Sequence, residues 1–465
     1  MTGAQGRFLS GPTMGHVVRM TLTGATGITF VFLVDAANLF WISRLGEPVL
    51  MAAIGFAFAI QFFSVSSGVG LMIAATALVS RSIGMGDRGT AREQASAAAV
   101  LAVATQAGVA ALVVGFRHEL VALAGAEGEA ARLAARYLAL SVPSLAFMAA
   151  GMVATAALRA EGDAARAMYV TLISGSVALV IDPVLIYRMG LGLDGAAASV
   201  VITRAVLCGM GLLFAIRAHD LMARPRLHAL RETWRAYFAV ALPAIATQMS
   251  TPFGNYVITA VIAGFGESAV AAWAVVSRLT VVAFGGLFSL AGAIGGIFGQ
   301  NYGAGLYPRL RSAYRDALLF AAGYALVAWA VLAATSGLVA EGFGLDAEGT
   351  RVLRAFTHLG AGAFAVSGAL FVANAAFNSL GRPGRATLVN WLRDGVLTYP
   401  AAAGLGAVLG AAGVIYAQAV VGVLVGAAAG LWGWLFVRGL DAGPRPVLDL
   451  ATRRAYRDPN RYRRR

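Results

Sequence analysis

Residues 78–87 read LVSRSIGMGD and residues 297–306 read IFGQNYGAGL. Each stretch closes a long apolar run with a glycine doublet, Gly84/Gly86 and Gly303/Gly305, and the doublets stand 219 residues apart. A glycine just past an apolar run reads as a helix C-cap. The same punctuation written twice reads as a repeat, and the neighbouring sequence keeps an offset near 217–220. ISRLGEPVLMAA at 42–53 matches IAGFGESAVAAW at 262–273, and AALRAEGDAARA at 156–167 matches AAFNSLGRPGRA at 375–386. LGLDGAAAS at 191–199 weakly echoes LGAAGVIY at 409–416.

The chain is 59% hydrophobic and only 12% charged, with mean hydropathy +0.75. Soluble domains carry about 25% charged residues. The apolar excess runs from about residue 17 to residue 437 rather than sitting in one segment. A helix needs about 20 apolar residues to cross the hydrocarbon, so the chain reads as a polytopic helical membrane protein. The runs are continuous, unlike the alternating strands of a membrane barrel. A single cysteine, Cys208, excludes a disulfide framework within one chain. Residues 1–16 are polar and lead straight into the first run, so no cleavable signal peptide is expected.

Breaking the sequence at charge and turn clusters predicts twelve spans. They cover 17–43, 49–81, 94–115, 131–158, 166–187, 195–216, 236–263, 268–299, 316–338, 351–380, 386–409 and 411–437. Pro143, Pro243 and Pro252 fall inside spans and are candidate kinks. The expected organisation is an N-terminal six-helix bundle (1–216), a cytoplasmic linker (217–235), a C-terminal six-helix bundle (236–437) and a basic cytoplasmic tail (438–465). An even number of spans per repeat preserves orientation. The two bundles are therefore expected to be related by a pseudo-twofold axis along the membrane normal.

Every one of the 36 basic residues is arginine, and the net charge is +14. With the N-terminus inside, Arg81, Arg88, Arg92, Arg159, Arg166, Arg309, Arg311, Arg315, Arg382, Arg385, the linker and the tail all fall on the cytoplasmic side. Few fall outside: Arg44, Arg117, Arg132, Arg136, Arg188, Arg351 and Arg354. The positive-inside rule then puts both termini in the cytoplasm. The basic excess serves topology and contact with membrane lipid, not nucleic acid.

Ionisable groups inside the spans are scarce: the acids Asp35, Asp182 and Asp394, and the bases Arg204, Arg278 and Arg393. A charge in the bilayer core costs from about 3 to more than ~10 kcal/mol, so each that persists is a functional candidate. Asp35 stands nine residues before Arg44 and Asp182 six before Arg188, which puts both acids at similar depth in the outer half of the first bundle. Two carboxyl groups close together in an apolar setting do not both stay ionised. Such a pair can take up and release a small cation, with Asp35 as the principal group and Asp182 as its partner. The structural alternatives are that Asp182 satisfies the backbone at the Pro183 bend and that Asp35 caps a bend or pairs with an arginine. Arg204 and Arg278 read as structural, satisfied by helix carbonyls or an acid, and Asp394 reads as a local pair with Arg393. Gln61, Gln248, Asn255, Asn374 and Asn378 are uncharged polar groups on apolar helices. They line a substrate cleft or else bond helix to helix. No HExxH, nucleophile elbow or phosphate loop is present, so no enzyme, catalytic residue, metal site or cofactor is expected.

Five ordered motifs resemble the multidrug and toxic compound extrusion family: VDAANLFWISRLG at 34–46, ALVSRSIGMGD at 77–87, LRAEGDAAR at 158–166, IDPVLIY at 181–187 and GQNYGAG at 299–305. The resemblance spans nearly the whole chain. It implies a cation-coupled exporter of organic compounds working by alternating access in the bacterial cytoplasmic membrane. The family has a tyrosine near its coupling site, here Tyr137, which a membrane-interface position would explain equally well. Members using this site carry an asparagine four residues before the DP acid and a threonine after helix 5, where this chain has Ala178 and Val200. Fewer oxygen ligands remain, which favours a proton over sodium as coupling ion. The expected substrate is a small organic, cationic compound, and the expected state is a monomer. The rivals are a lipid-linked precursor flippase of the same superfamily and, further off, a channel.

Overall fold

The computed structural model describes residues 6–441, which leaves most of the expected basic tail outside the described residues. Helices dominate, and no strand occurs among the described residues. Twelve long helical segments are present. The first six are α1 Thr13–Ser43, α2 Pro48–Gly84, α3 Arg88–Gly115, α4 Gly128–Glu161, α5 Ala164–Arg188 and α6 Gly192–Arg217. The second six are α7 Leu227–Ala263, α8 Glu267–Gly303, α9 Tyr307–Gly342, α10 at 347–379, α11 at 383–409 and α12 Ala411–Arg438. A short helix, Arg117–Leu123, lies between α3 and α4. Nine of the twelve are uninterrupted enough, long enough and apolar enough to cross a membrane, and α10, bent by 50°, makes a tenth among the described residues. The twelve predicted spans each coincide with one of these helices.

The glycine doublets behave as their spacing predicts. Gly86 (φ 78°) and Gly305 (φ 70°) both take the left-handed conformation that a Cβ disfavours. Around the first, Gly86 N donates to Ile83 O (3.0 Å) and Asp87 N to Ser82 O (3.0 Å); around the second, Gly305 N donates to Tyr302 O (3.1 Å) and Leu306 N to Asn301 O (2.9 Å). These are two copies of one Schellman cap, and Gly162 and Gly381, again 219 apart, repeat the left-handed turn after α4 and α10.

The chain divides into two compact units. The first comprises Thr26–Ile245, and the second comprises Gly6–Ala25 together with the chain from Ala246 onward. The dividing lines fall inside α1 and α7, and the connection between repeats is shorter than the 217–235 stretch expected, because α7 already begins at Leu227. Within the first unit, Tyr237 near the start of α7 donates its hydroxyl to Leu71 O (3.0 Å). A Cβ on Gly70 would come within 2.6 Å of Ile245 N, so glycine is what lets α2 and α7 approach. Within the second unit, the start of α1 is tied down by Phe8 N to Gln300 Oε1 (3.0 Å), Arg309 Nε to Phe8 O (2.9 Å) and a Thr13–Asp316 hydrogen bond.

Interruptions mark four helices, among them α10, which carries a π turn at Phe356–Gly360 beside its 50° bend. Pro143 sits in a 3-10 turn, Val142–Ser144, that breaks α4. Pro183 opens a π turn, Pro183–Arg188, at the end of α5, directly after Asp182. A further π turn, Leu392–Leu397, lies in α11 and contains Asp394. Pro243 and Pro252, by contrast, lie within the uninterrupted helical assignment of α7.

Candidate functional site

The two acids flagged by the sequence lie in the first unit and differ in setting. Asp182 is 1% exposed. Asn38 Nδ2 donates to its Oδ2 at 3.0 Å, and the Ser199 hydroxyl donates to its Oδ1. One carboxylate thereby ties α5 to α1 and to α6. Asp35 stands one turn before Asn38 on α1, so the hydrogen bond that positions Asn38 also positions the backbone carrying Asp35. Asp35 itself is exposed, crowded by protein on its other sides, and makes no hydrogen bond or ion pair among the described residues. Burial of Asp35 on the scale expected from its sequence context is therefore not observed: its carboxylate is open while that of Asp182 is closed. Asp35 still lies close enough to Asp182 and Arg204 to feel both charges.

The contact between α1 and α5 is close. A Cβ on Gly175 would meet the Phe30 ring at 2.7 Å and Val34 at 3.0 Å. Packing this tight converts a small displacement of either helix into a rearrangement of side chains, because interiors at crystal-like density do not deform smoothly.

Tyr137 is fully buried, which removes the membrane-interface explanation of this aromatic residue. Its hydroxyl is buried and has no hydrogen-bond partner among the described residues. The phenol lies within electrostatic reach of Arg204, Asp35 and Asp182. An unsatisfied buried hydroxyl costs about 1–3 kcal/mol, so the phenol is held here at a cost to stability.

Arg204, read from the sequence as structural, completes the cluster. Its Nη1 donates to Ser141 O (3.1 Å) and Ser144 Oγ (2.9 Å), and its Nη2 to Gln61 Oε1 (3.3 Å). Gln61 Nε2 donates in turn to Ser141 Oγ (2.6 Å), and Ser141 Oγ to Tyr137 O (2.7 Å). The 3-10 break in α4 supplies the free carbonyl and hydroxyl that hold the guanidinium, and the hydrogen bonds satisfy Arg204 as expected. Their consequence was missed: a fixed cation within electrostatic reach of Asp35 and Tyr137.

The remaining polar candidates are dispersed. Gln61 belongs to the Arg204 network in the first unit, and Gln248, Asn255, Asn374 and Asn378 fall in the second. Asn374 Oδ1 accepts from Asn390 Nδ2 at 2.9 Å, which is helix-to-helix bonding between α10 and α11. Gln248 is half-buried, Asn255 is exposed, and Asn378 is buried with an unpartnered Oδ1. Asp394 forms a two-pronged pair with Arg393 (2.7 and 2.9 Å), as its sequence position predicts. No group of three or more His, Cys, Asp or Glu side chains suited to a metal ion occurs among the described residues.

Outside the spans, Asp163 caps α5 by accepting from Arg166 N (3.0 Å) and also bonds the His219 Nε2 (2.7 Å). Burial alone would raise its pKa, but the hydrogen bonds from His219 and Arg166 outweigh burial and hold the carboxyl at about 2.

The duplicated helical chain has counterparts among known proteins. A family model described as MatE matches residues 25–184 and 243–404, one block in each repeat and more than half the chain. The chain belongs to the MatE family. Among MatE relatives, a protein from Shewanella oneidensis named FAD transporter is 26% identical over 427 residues, 90% of this chain and 94% of that one. The multidrug export protein MepA of Staphylococcus aureus is 22% identical over 58% of this chain and 61% of its own length. A solved multidrug resistance MATE family transporter of the MOP superfamily, in an outward-facing conformation, superposes with a TM-score of 0.88 at 22% identity, covering 95% of this chain and all of that one. The Vibrio cholerae MATE transporter VcmN gives a TM-score of 0.86 at 23% identity over 92% of this chain and 97% of its own. These similarities establish the fold, and membership of the MatE family makes the protein an integral membrane transporter of small molecules.

Proposed function

We propose that the protein exports organic compounds across a bacterial cytoplasmic membrane in exchange for protons, by alternating access, with both termini on the cytoplasmic side and a single chain as the working unit. The observation that carries this reading is the asymmetry of the acid pair: Asp182 is enclosed and fully hydrogen-bonded, Asp35 is open and unbonded, and Arg204 stands beside them.

A proton needs one basic oxygen, and Asp35 offers it. A sodium ion needs several oxygens. Both carboxylate oxygens of Asp182 already face donors, and Ala178 and Val200 contribute no side-chain ligand. A guanidinium nearby repels a metal ion further. With Asp35 ionised, the cluster of two carboxylates and one guanidinium carries a net charge of −1; with Asp35 protonated it is neutral. That change acts on α1, the helix bonded to α5 through Asn38, so the cation state and the packing of α1 are linked.

Reconstitution into proteoliposomes with separately imposed proton and sodium gradients tests the reading, using efflux of an organic cationic dye. Transport driven by the proton gradient and lost in Asp35→Asn supports it. Sodium-driven transport, or wild-type transport by Asp35→Asn, refutes it. A phosphate-bearing nucleotide cargo is the second reading, favoured by the near full-length similarity to the protein named FAD transporter. Substituting FAD for the dye in the same vesicles decides between the two.

A further inference from the structure

A second site lies in the second unit, independent of cargo and coupling ion. A cavity of about 440 Å³ is lined by Thr350, Arg351, Arg354 and His358 of α10 and by Tyr416 of α12. That volume falls within the range of small-ligand sites, about 300–1,000 Å³. Arg351 and Arg354, three residues apart, share a helix face, and His358, in the π turn Phe356–Gly360, lines the same cavity. Arg351 is paired with Glu348 at 2.9 Å, and Asp346, the other nearby acid, caps the helix through Gly349 N and Ser268. Arg354 and the Tyr416 hydroxyl make no hydrogen bond or ion pair among the described residues. His358 Nδ1 meets Thr357 Oγ1 at 3.1 Å, which leaves Nε2 for a ligand.

We propose that this cavity binds the phosphate of an anionic membrane lipid headgroup. The chemistry is that of a phosphate cradle. Arg351 and Arg354 supply planar forks that match phosphate oxygens two at a time, and the Thr350 and Tyr416 hydroxyls and the His358 ring supply single donors. The place favours a lipid. The stripe starts one turn into the span 347–379 and runs from Arg351 to His358, about 10 Å of helix, comparable with a headgroup layer of roughly 5–8 Å on each side of the hydrocarbon. Directly after it, Leu359 is 52% exposed and suited to acyl chains. Trp329 of α9 donates its ring N–H to His358 O at 3.0 Å, which ties the end of the stripe to the neighbouring helix.

The test is native mass spectrometry of the full chain in detergent, titrated with phosphatidylglycerol, phosphatidylcholine or inorganic phosphate. Phosphatidylglycerol should bind at least fivefold more tightly than phosphatidylcholine. The double variant Arg351→Gln/Arg354→Gln should lose that preference, while Arg132→Gln, an exposed arginine of the first unit paired only to Glu129, should keep it. Tyr416→Phe, which leaves all charges in place, should weaken phosphatidylglycerol about two- to threefold. Equal binding of the two lipids, an equal loss in Arg132→Gln, or full competition by millimolar inorganic phosphate overturns the assignment. The last outcome identifies a soluble phosphate as the ligand instead.

Discussion

Asp182 distinguishes a coupling group from a carboxylate that merely braces a bend at a proline, and two substitutions separate the roles. Asp182→Ala removes both acceptors and strands two buried donors, Asn38 Nδ2 and the Ser199 hydroxyl. Each stranded buried group costs about 1–3 kcal/mol, so the loss is roughly 2–6 kcal/mol. At about 2–4 °C per kcal/mol for a unit of this size, the melting temperature should fall by on the order of 10 °C. Asp182→Asn is milder for a reason visible in the structure. Its carbonyl oxygen keeps one acceptor, the Ser199 hydroxyl can rotate, and Asn38 Oδ1 is buried and unpartnered, so a flip of the Asn38 amide presents an acceptor to the new NH2. The cost should stay below about 1.5 kcal/mol, since only the charge assistance of the bonds is lost. Tryptophan-fluorescence melting in detergent should therefore place Asp182→Asn within a few degrees of wild type, while its proton-driven efflux in proteoliposomes is lost. If Asp182→Asn melts as early as Asp182→Ala, or transports as wild type does, Asp182 is a brace and the coupling argument fails.

Tyr137→Phe removes an unsatisfied buried hydroxyl and should raise stability by about 1 kcal/mol while impairing gradient-driven efflux. Lower stability with intact transport would show that the phenol has a structural partner. Gly70→Ala drives a Cβ to 2.6 Å from the Ile245 backbone nitrogen and should destabilise by about 1–3 kcal/mol through overpacking, outweighing the ~0.5–1 kcal/mol that alanine gains in a helix; a melting temperature at or above wild type refutes the close approach of α2 and α7. Asp163, held at about 2, stabilises the fold above its unfolded pKa near 4, and that stabilisation is lost as pH falls from about 4 to about 2. Asp163→Asn should cost roughly 1 kcal/mol at neutral pH, a figure already discounted for solvent screening, and melting curves of variant and wild type should converge across that acid window. Convergence at a higher pH would place the hydrogen bonds elsewhere.

The fold was largely legible because its signals are local and repeated. Twelve apolar runs and glycine caps at one offset specify where helices start and stop, and Gly86 and Gly305 hold the same left-handed turn that the quoted stretches imply. The acids were legible because charge in a span is expensive. The network around them was not. Asn38 and Ser199 are small polar residues in apolar helices, with no sequence signal beyond position: Asn38 is one turn after Asp35, and Ser199 directly precedes Val200. Arg204 was visible as a rare buried cation, but its acceptors, Ser141, Ser144 and Gln61, come from helices far away in sequence. A stricter accounting of charge, two acids and a base in one bundle, pointed to their association. The openness of Asp35 depends on side-chain packing, which no periodicity encodes.

The wide turn Pro183–Arg188 sets the phase of everything beyond it. One residue of surplus in a helix rotates the following chain by about 100° and advances it by 1.5 Å. The turn also presents Leu185 O to Gly195, where an added Cβ would stand only 2.7 Å from that oxygen. Removing a single residue between 183 and 188 would leave the hydropathy profile unaltered and the span long enough to cross. It would nonetheless swing Tyr187 and Arg188 to another azimuth and close the notch that Gly195 occupies, so here a deletion acts as a rotation rather than a shortening.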